Sequence, residues 1–250
     1  MSGLTRRENL GWLGAGVSAA LAGSPAVAQD AGERVSVGTY ASGDEDITVV
    51  LFSPPEADLP MAGAAILLLH GGGGAPLELS RWYEHAVRMA ARGYVVAFPA
   101  WFGNDAQGRE RGRAAIQRQA VLDGLTWLAA QPGVDPARIA TMGFSRGGYI
   151  ASEVAVSDGE VAAVVSIASG GSRRPDQITR RPPTLLIYAD ADPLVEPAAT
   201  RRWERTLKEA GVRVETEVLD ADHHVPEPNE WRNIFDIAHR FLRRELGGRS

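Results

Sequence analysis

The chain of 250 residues has no cysteine and a single lysine, Lys208. The first absence excludes disulfides, thiolate metal sites, a cysteine-linked lipid and a cysteine nucleophile together. The second leaves arginine as nearly the whole cationic complement, a bias of coding with no bearing on mechanism. Positive charge is not in excess either. Lys and Arg number 26 against 31 Asp and Glu, a net charge of -5, which argues against nucleic acid or an anionic membrane surface as partner. No apolar run is long enough to span a bilayer stably, and there is no internal repeat, low-complexity linker or second composition regime. With 44% hydrophobic and 23% charged residues, what remains is an ordinary soluble globule with room for one large domain.

The first thirty residues stand apart. Thr5-Arg6-Arg7-Glu8-Asn9-Leu10 leads into a weakly apolar, Gly/Ala-rich run from Gly11 to Gly23, then Ala26-Val27-Ala28. Paired arginines, a short apolar core and an A-x-A site make an export signal, here of the twin-arginine kind that carries folded cargo. The expectation is a signal over residues 1–28, cleavage after Ala28, and a periplasmic or secreted domain over 29–250 with no membrane anchor left on it.

Beyond the signal, Arg34 to Tyr40 and Ile47 to Phe52 read as two strands joined through the turn-rich Ala41 to Asp46, and the short connection implies antiparallel pairing. Ala64 to Leu69 is a solid apolar run, the pattern of a strand buried on both faces. From Leu77 to Arg92, Leu79, Tyr83, Ala86 and Ala90 recur at helical steps, and Gly93 closes the segment. Strands follow at Tyr94–Phe98, Ile139–Met142, Val161–Ile167, Thr184–Ala189 and Val212–Leu219. Helices fall at about 108–131, at Tyr149–Val156, at Ala198–Ala210 and at Trp231–Leu246. Eight strands, all but the first pair separated by helices or loops, predict an α/β fold: a mostly parallel sheet with helices on both faces and ligand sites beyond the carboxyl ends of the strands.

One such strand end carries Gly143-Phe144-Ser145-Arg146-Gly147-Gly148. Strand, sharp turn and helix with a serine at the apex is the arrangement in which small flanking residues let the two backbones pass closely, lifting the hydroxyl clear of the sheet. A serine hydroxyl needs a base within reach and a third group to orient that base. In sheets of this type the partners come in the order Ser, acid, His. Asp192 lies past the strand Thr184–Ala189 and His223 past the strand Val212–Leu219. Asp190 and His224 compete with them. Asp190 is nearer its strand and suited to capping the turn, and His224 is the alternative base or a pocket residue. The Asp222-His223-His224 run also has the donor types of a metal site, but adjacent loop histidines do not readily face one ion, and the chain has no H-x-x-x-H pair.

Ester or amide cleavage builds negative charge on a carbonyl oxygen, which backbone N–H groups can hold. The amide of Arg146, next to the serine, is one candidate. Gly72 or Gly73, in the run His70-Gly71-Gly72-Gly73-Gly74 past the first buried strand, supplies the other. His70 reads as a hydrogen-bonding support beneath this loop. Trp101 and Phe102 either wall a substrate pocket or pack under their loop. The loop Ser169 to Arg181 carries four arginines, either a solvated basic segment or a site for a substrate carboxylate. It is too short for a cap domain.

With these parts assembled, the chain from Val35 to Leu246 resembles the α/β-hydrolases. The stretch Val134-Asp135-Pro136-Ala137-Arg138-Ile139 leading into Gly143–Gly148 is similar to the dienelactone hydrolase family and to the hydrolase domains of prolyl-oligopeptidase-type peptidases. Dienelactone hydrolase itself uses a cysteine where this chain has Ser145, so lactone specificity does not carry over. The resemblance implies a serine hydrolase of small carboxylic esters working without a cofactor or metal. The alternatives are a peptidase with the same triad, or a binding protein that keeps only the fold.

Overall fold

The computed structural model describes residues 34–102, 111–220 and 228–247. The export signal proposed over 1–28 and the His223–His224 pair lie outside these described residues.

Eight strands form one sheet in the order β1-β2-β4-β3-β5-β6-β7-β8. Strands β1 (Val35–Ser42) and β2 (Glu45–Phe52) form an antiparallel hairpin, and β2 pairs antiparallel with β4 (Val95–Pro99). From there the sheet is parallel through β3 (Ala65–Leu69), β5 (Ile139–Phe144), β6 (Ala163–Ile167), β7 (Thr184–Ala189) and β8 (Val214–Leu219). The hairpin is tighter than the sequence suggests. Ala41, Ser42, Glu45 and Asp46 extend the strands, because Gly43 takes a φ of 58° and closes the chain over two residues.

The central strands are buried from end to end, and their alternate side chains serve opposite faces. On β3, Ile66 and Leu68 join the layer with helices α1 (Ala75–Ala91) and α5 (Pro228–Leu246). Ala65, Leu67 and Leu69 join the layer with α2 (Arg111–Ala129) and α3 (Arg146–Ala155). Helix α4 (Pro197–Glu209) covers that second face further along, setting Trp203 and Leu207 against Leu186 of β7. Each large apolar side chain buried in this way contributes about 1.5–3 kcal/mol.

Helix α1 ends where Gly93 adopts a φ of 105° and turns the chain into β4. Between β6 and β7 the described chain has one 3-10 turn, Pro175–Gln177, and no cap domain. The glycine loop, the serine turn and Asp192 all follow the carboxyl ends of parallel strands, the edge at which open α/β sheets bind ligands.

Candidate active site

Ser145 stands between β5 and α3 with φ 52° and ψ -115°, a left-handed φ that a residue with a Cβ avoids unless its surroundings impose it. The surroundings do so from both sides. Its N–H donates to the Ile167 carbonyl at 2.8 Å, and its own carbonyl accepts from Tyr149 N–H at 2.9 Å. The hydroxyl makes no capping bond to the helix. The flanking glycines are required by contact. A Cβ at Gly143 would stand on the Gly147 carbonyl, and one at Gly147 on the Leu69 carbonyl at the end of β3. Behind the turn lie buried hydroxyls. Ser166 Oγ donates to the Gly148 carbonyl at 3.2 Å and shares a hydrogen bond with Ser169 Oγ, while Thr200 Oγ1 donates to the Ser169 carbonyl at 2.7 Å.

The glycine loop meets the serine turn because β3 and β5 run level, Leu69 opposite Gly143. Gly71 lies so close to Phe144 that an added Cβ would be 2.9 Å from the Phe144 ring. Gly71 and Gly74 close the loop through a 3.2 Å hydrogen bond, leaving Gly72 and Gly73 exposed at its tip. Helix α3 begins at Arg146, so the first N–H groups of that helix, which have no intrahelical acceptor, sit at the same rim. Of the residues expected to act, the structure thus brings Ser145, Arg146, Gly72 and Gly73 to one rim.

His70 is fully buried at the base of the loop. Its Nδ1 donates to the Gly71 carbonyl at 3.0 Å, which fixes the tautomer, and burial lowers its pKa to about 4 with the Arg146 cation acting in the same direction. A neutral imidazole so enclosed, with its one N–H committed to the Gly71 carbonyl, is a support beneath the loop. Its ring packs on Phe102 at 4.6 Å and Trp101 at 5.5 Å between centroids. Both aromatic rings are buried, so packing under the loop describes them. The Arg146 guanidinium also lies over Phe102, 4.9 Å from the ring centre, and donates to Gln117 Oε1 at 2.8 Å.

The two aspartates after β7 differ sharply. Asp190 is a surface residue, its side chain 69% exposed and paired with Arg201 at 3.2 Å. Asp192 is 5% exposed, and its Oδ1 accepts two backbone N–H groups, from Leu194 and Val195, at 2.8 Å each. Such a carboxylate is oriented by its own loop.

The basic loop between β6 and β7 is pinned by its own charges. Arg173 pairs with the buried Glu153 at 3.0 Å, Arg174 with Asp176 at 3.2 Å and Arg180 with Glu160 at 3.1 Å, while Arg181 donates to the Ala210 carbonyl. Glu153 also accepts the Ser172 N–H at 2.7 Å. Arg173, Arg180 and Arg181 hold the loop to the body of the domain.

Two features went unread in the sequence: Gln117, which reaches Arg146 only through tertiary packing, and Glu78, a buried acid beside the glycine loop. The latter had a signal. Glu78, Trp82, His85 and Met89 form a second stripe at helical steps alongside Leu79, Tyr83, Ala86 and Ala90, and both stripes are buried.

Comparison with known proteins agrees with this architecture. Esterase 2 of Thermogutta terrifontis superposes with a TM-score of 0.71 at 19% identity, over 87% of this chain and 97% of that one. Acylaminoacyl peptidase of Pyrococcus horikoshii gives 0.67 at 16%, over 86% of this chain but 42% of the peptidase, which is more than twice as long as the part matched. In sequence, the ethyl acetate hydrolase of Pseudomonas putida is 26% identical over 238 residues, 71% of this chain and 70% of that protein. The family model described as the dienelactone hydrolase family matches residues 47–229, from β2 through the serine turn and Asp192 to the first turn of α5. The chain therefore belongs to the dienelactone hydrolase family and is a hydrolase.

Proposed function

We propose that the protein is a serine carboxylesterase that cleaves small carboxylic esters through an acyl-enzyme. The observation that carries the reading is the enforced left-handed conformation of Ser145 at a strand-to-helix turn, with the glycine loop abutting it. Strain of this kind persists where surrounding structure over-determines it, and it sets the hydroxyl at the rim where helix N–H groups converge. The name of the Pseudomonas putida relative, an ethyl acetate hydrolase, supports a short acyl ester as the first substrate to test.

In this reading the Ser145 Oγ attacks the ester carbonyl carbon as His223 accepts its proton. Asp192, oriented by Leu194 and Val195, holds the imidazole in the right tautomer and balances its charge. The tetrahedral oxyanion rests on the Arg146 amide and on a Gly72 or Gly73 amide. Collapse breaks the bond to the alcohol oxygen, which leaves with the proton from His223. Water then adds to the acyl carbonyl, giving its proton to His223, and the second collapse releases the carboxylic acid and restores the serine.

The test is Ser145→Ala assayed on a chromogenic short-chain ester, with circular dichroism to confirm the fold. A fall in kcat of at least ~1000-fold is expected. Activity retained by the folded variant would overturn the assignment.

A further inference from the structure

The catalytic scheme leaves one buried acid unused. Glu78, in the first turn of α1, is 2% exposed, and its Oε2 has no hydrogen-bond partner. Its Oε1 lies 3.7 Å from the half-exposed Arg81 guanidinium, too far for a hydrogen bond. The carboxyl also lies under the glycine loop: a Cβ added to Gly73 would be 3.1 Å from Oε1. Neither Gly72 nor Gly73 donates to it. The loop closes on itself through Gly74 and Gly71 instead.

The immediate setting is apolar. Trp82, one turn along α1, packs edge-on against Trp231 of α5 at 5.2 Å, and Phe144 completes the cluster at 5.1 Å from Trp231. Few described charges face the site. Arg81 is on the same helix, and the glycine loop and the end of β5 offer glycines and Phe144. On α5, Glu230 stands in the first turn, Arg232 acts on His85, and Asp236 is bound to Arg92. His70 turns its ring to Phe98, Trp101 and Phe102.

An acid in such a place has two states with opposite consequences. Neutral, it leaves the loop N–H groups free for an oxyanion. Ionised, it sets a full negative charge beside the donors that must hold another, and in a site shielded from water that repulsion is strong.

We propose that Glu78 is a positioning residue of the esterase site, supporting the glycine loop as an uncharged acid and disabling the loop when it ionises. The proposal rests on the serine-esterase reading above. Burial raises the Glu78 pKa from 4.5 to about 7, with Arg81 opposing the shift, so the change of state falls near neutral pH.

The experiment compares wild type with Glu78→Gln, an uncharged isostere, by measuring kcat/KM on a chromogenic short-chain ester from pH 5.5 to 9. Wild type is expected to lose activity above about pH 7, by on the order of 10-fold at pH 8.5. Glu78→Gln should keep the acid limb and lack this alkaline fall. A second readout follows thermal midpoints. Because the folded-state pKa is raised, the neutral acid contributes stability that is lost as pH rises from about 4.5 through about 7. Wild type should therefore fall relative to Glu78→Gln over that interval.

An alkaline limb unchanged in Glu78→Gln overturns the proposal even if the midpoints diverge, since Glu78 would then titrate without touching catalysis. Inactivity of Glu78→Gln at every pH also overturns it, because the neutral form would not suffice. Should Glu78→Gln fail to fold, Glu78→Met carries the same two measurements. Loss of activity in Ser145→Ala together with an unchanged limb would sink this inference and leave the esterase reading standing.

Discussion

Ser145 and Ala168 are the two non-glycine residues with positive φ among the described residues, at 52° and 48°, and they follow the ends of neighbouring strands. Between them runs a single hydrogen bond, from the Ser145 N–H to the Ile167 carbonyl, and Ala168 N–H in turn donates to Ile187. The serine turn is thus braced by a second strained turn on the next strand. The buried hydroxyls of Ser166 and Ser169 fill the angle between them.

Replacing Gly147 by alanine tests this bracing. Its methyl group would stand on the Leu69 carbonyl and separate the serine turn from β3. Chemical denaturation of Gly147→Ala is expected to show a loss of more than about 4 kcal/mol, or no soluble protein. A change below about 1 kcal/mol would show that the close approach is not required.

The two aspartates after β7 should separate by function. Asp192→Asn keeps the shape but changes what the base can lean on, and in comparable triads this costs about 10⁴-fold in kcat. Asp190→Asn removes only an exposed, solvent-screened pair with Arg201 and should leave kcat within a factor of about two. Equal losses in both variants would reassign the acid.

Acid should destabilise the protein through its buried histidines. His70, His85 and His239 all have pKa values lowered to about 4, chiefly by burial. The unfolded chain binds protons near pH 6.5 while the folded chain resists them. Stability is therefore present above about 6.5 and lost as pH falls toward about 4. A thermal midpoint that drops steadily over that interval is expected. His85, stacked on Phe235 at 4.9 Å, provides the check: His85→Phe should flatten part of the slope.

Export is testable apart from catalysis. Changing Arg6 and Arg7 to lysine keeps the charge and removes the paired guanidinium groups that define a twin-arginine signal. Cell fractionation should then find the protein retained in the cytoplasm with its first 28 residues uncleaved. Unchanged export would exclude that route.

The buried parallel strands were legible because five or six consecutive apolar residues have few other uses in a soluble domain. The hairpin was less so. Ser42 ends the edge strand β1, Glu45 and Asp46 begin β2 ahead of its pairing with β4, and only Gly43 marks the turn. Ser145, Asp192 and the glycine loop were found from spacing and order along the chain. What separates Asp192 from Asp190 in the fold, two backbone donors and burial, is nothing a sequence displays. The four arginines between β6 and β7 read as an open question of charge. Their partners Glu153, Glu160 and Ala210 come from distant positions that only folding brings near.

The Phe102 ring touches both the His70 imidazole and the Arg146 guanidinium. Any tilt of that benzene plane is felt by the histidine beneath the glycine loop and by the residue whose amide follows the serine. Substitutions at Phe102 thereby act on the glycine loop and the serine turn together while leaving Ser145 and Asp192 themselves unchanged.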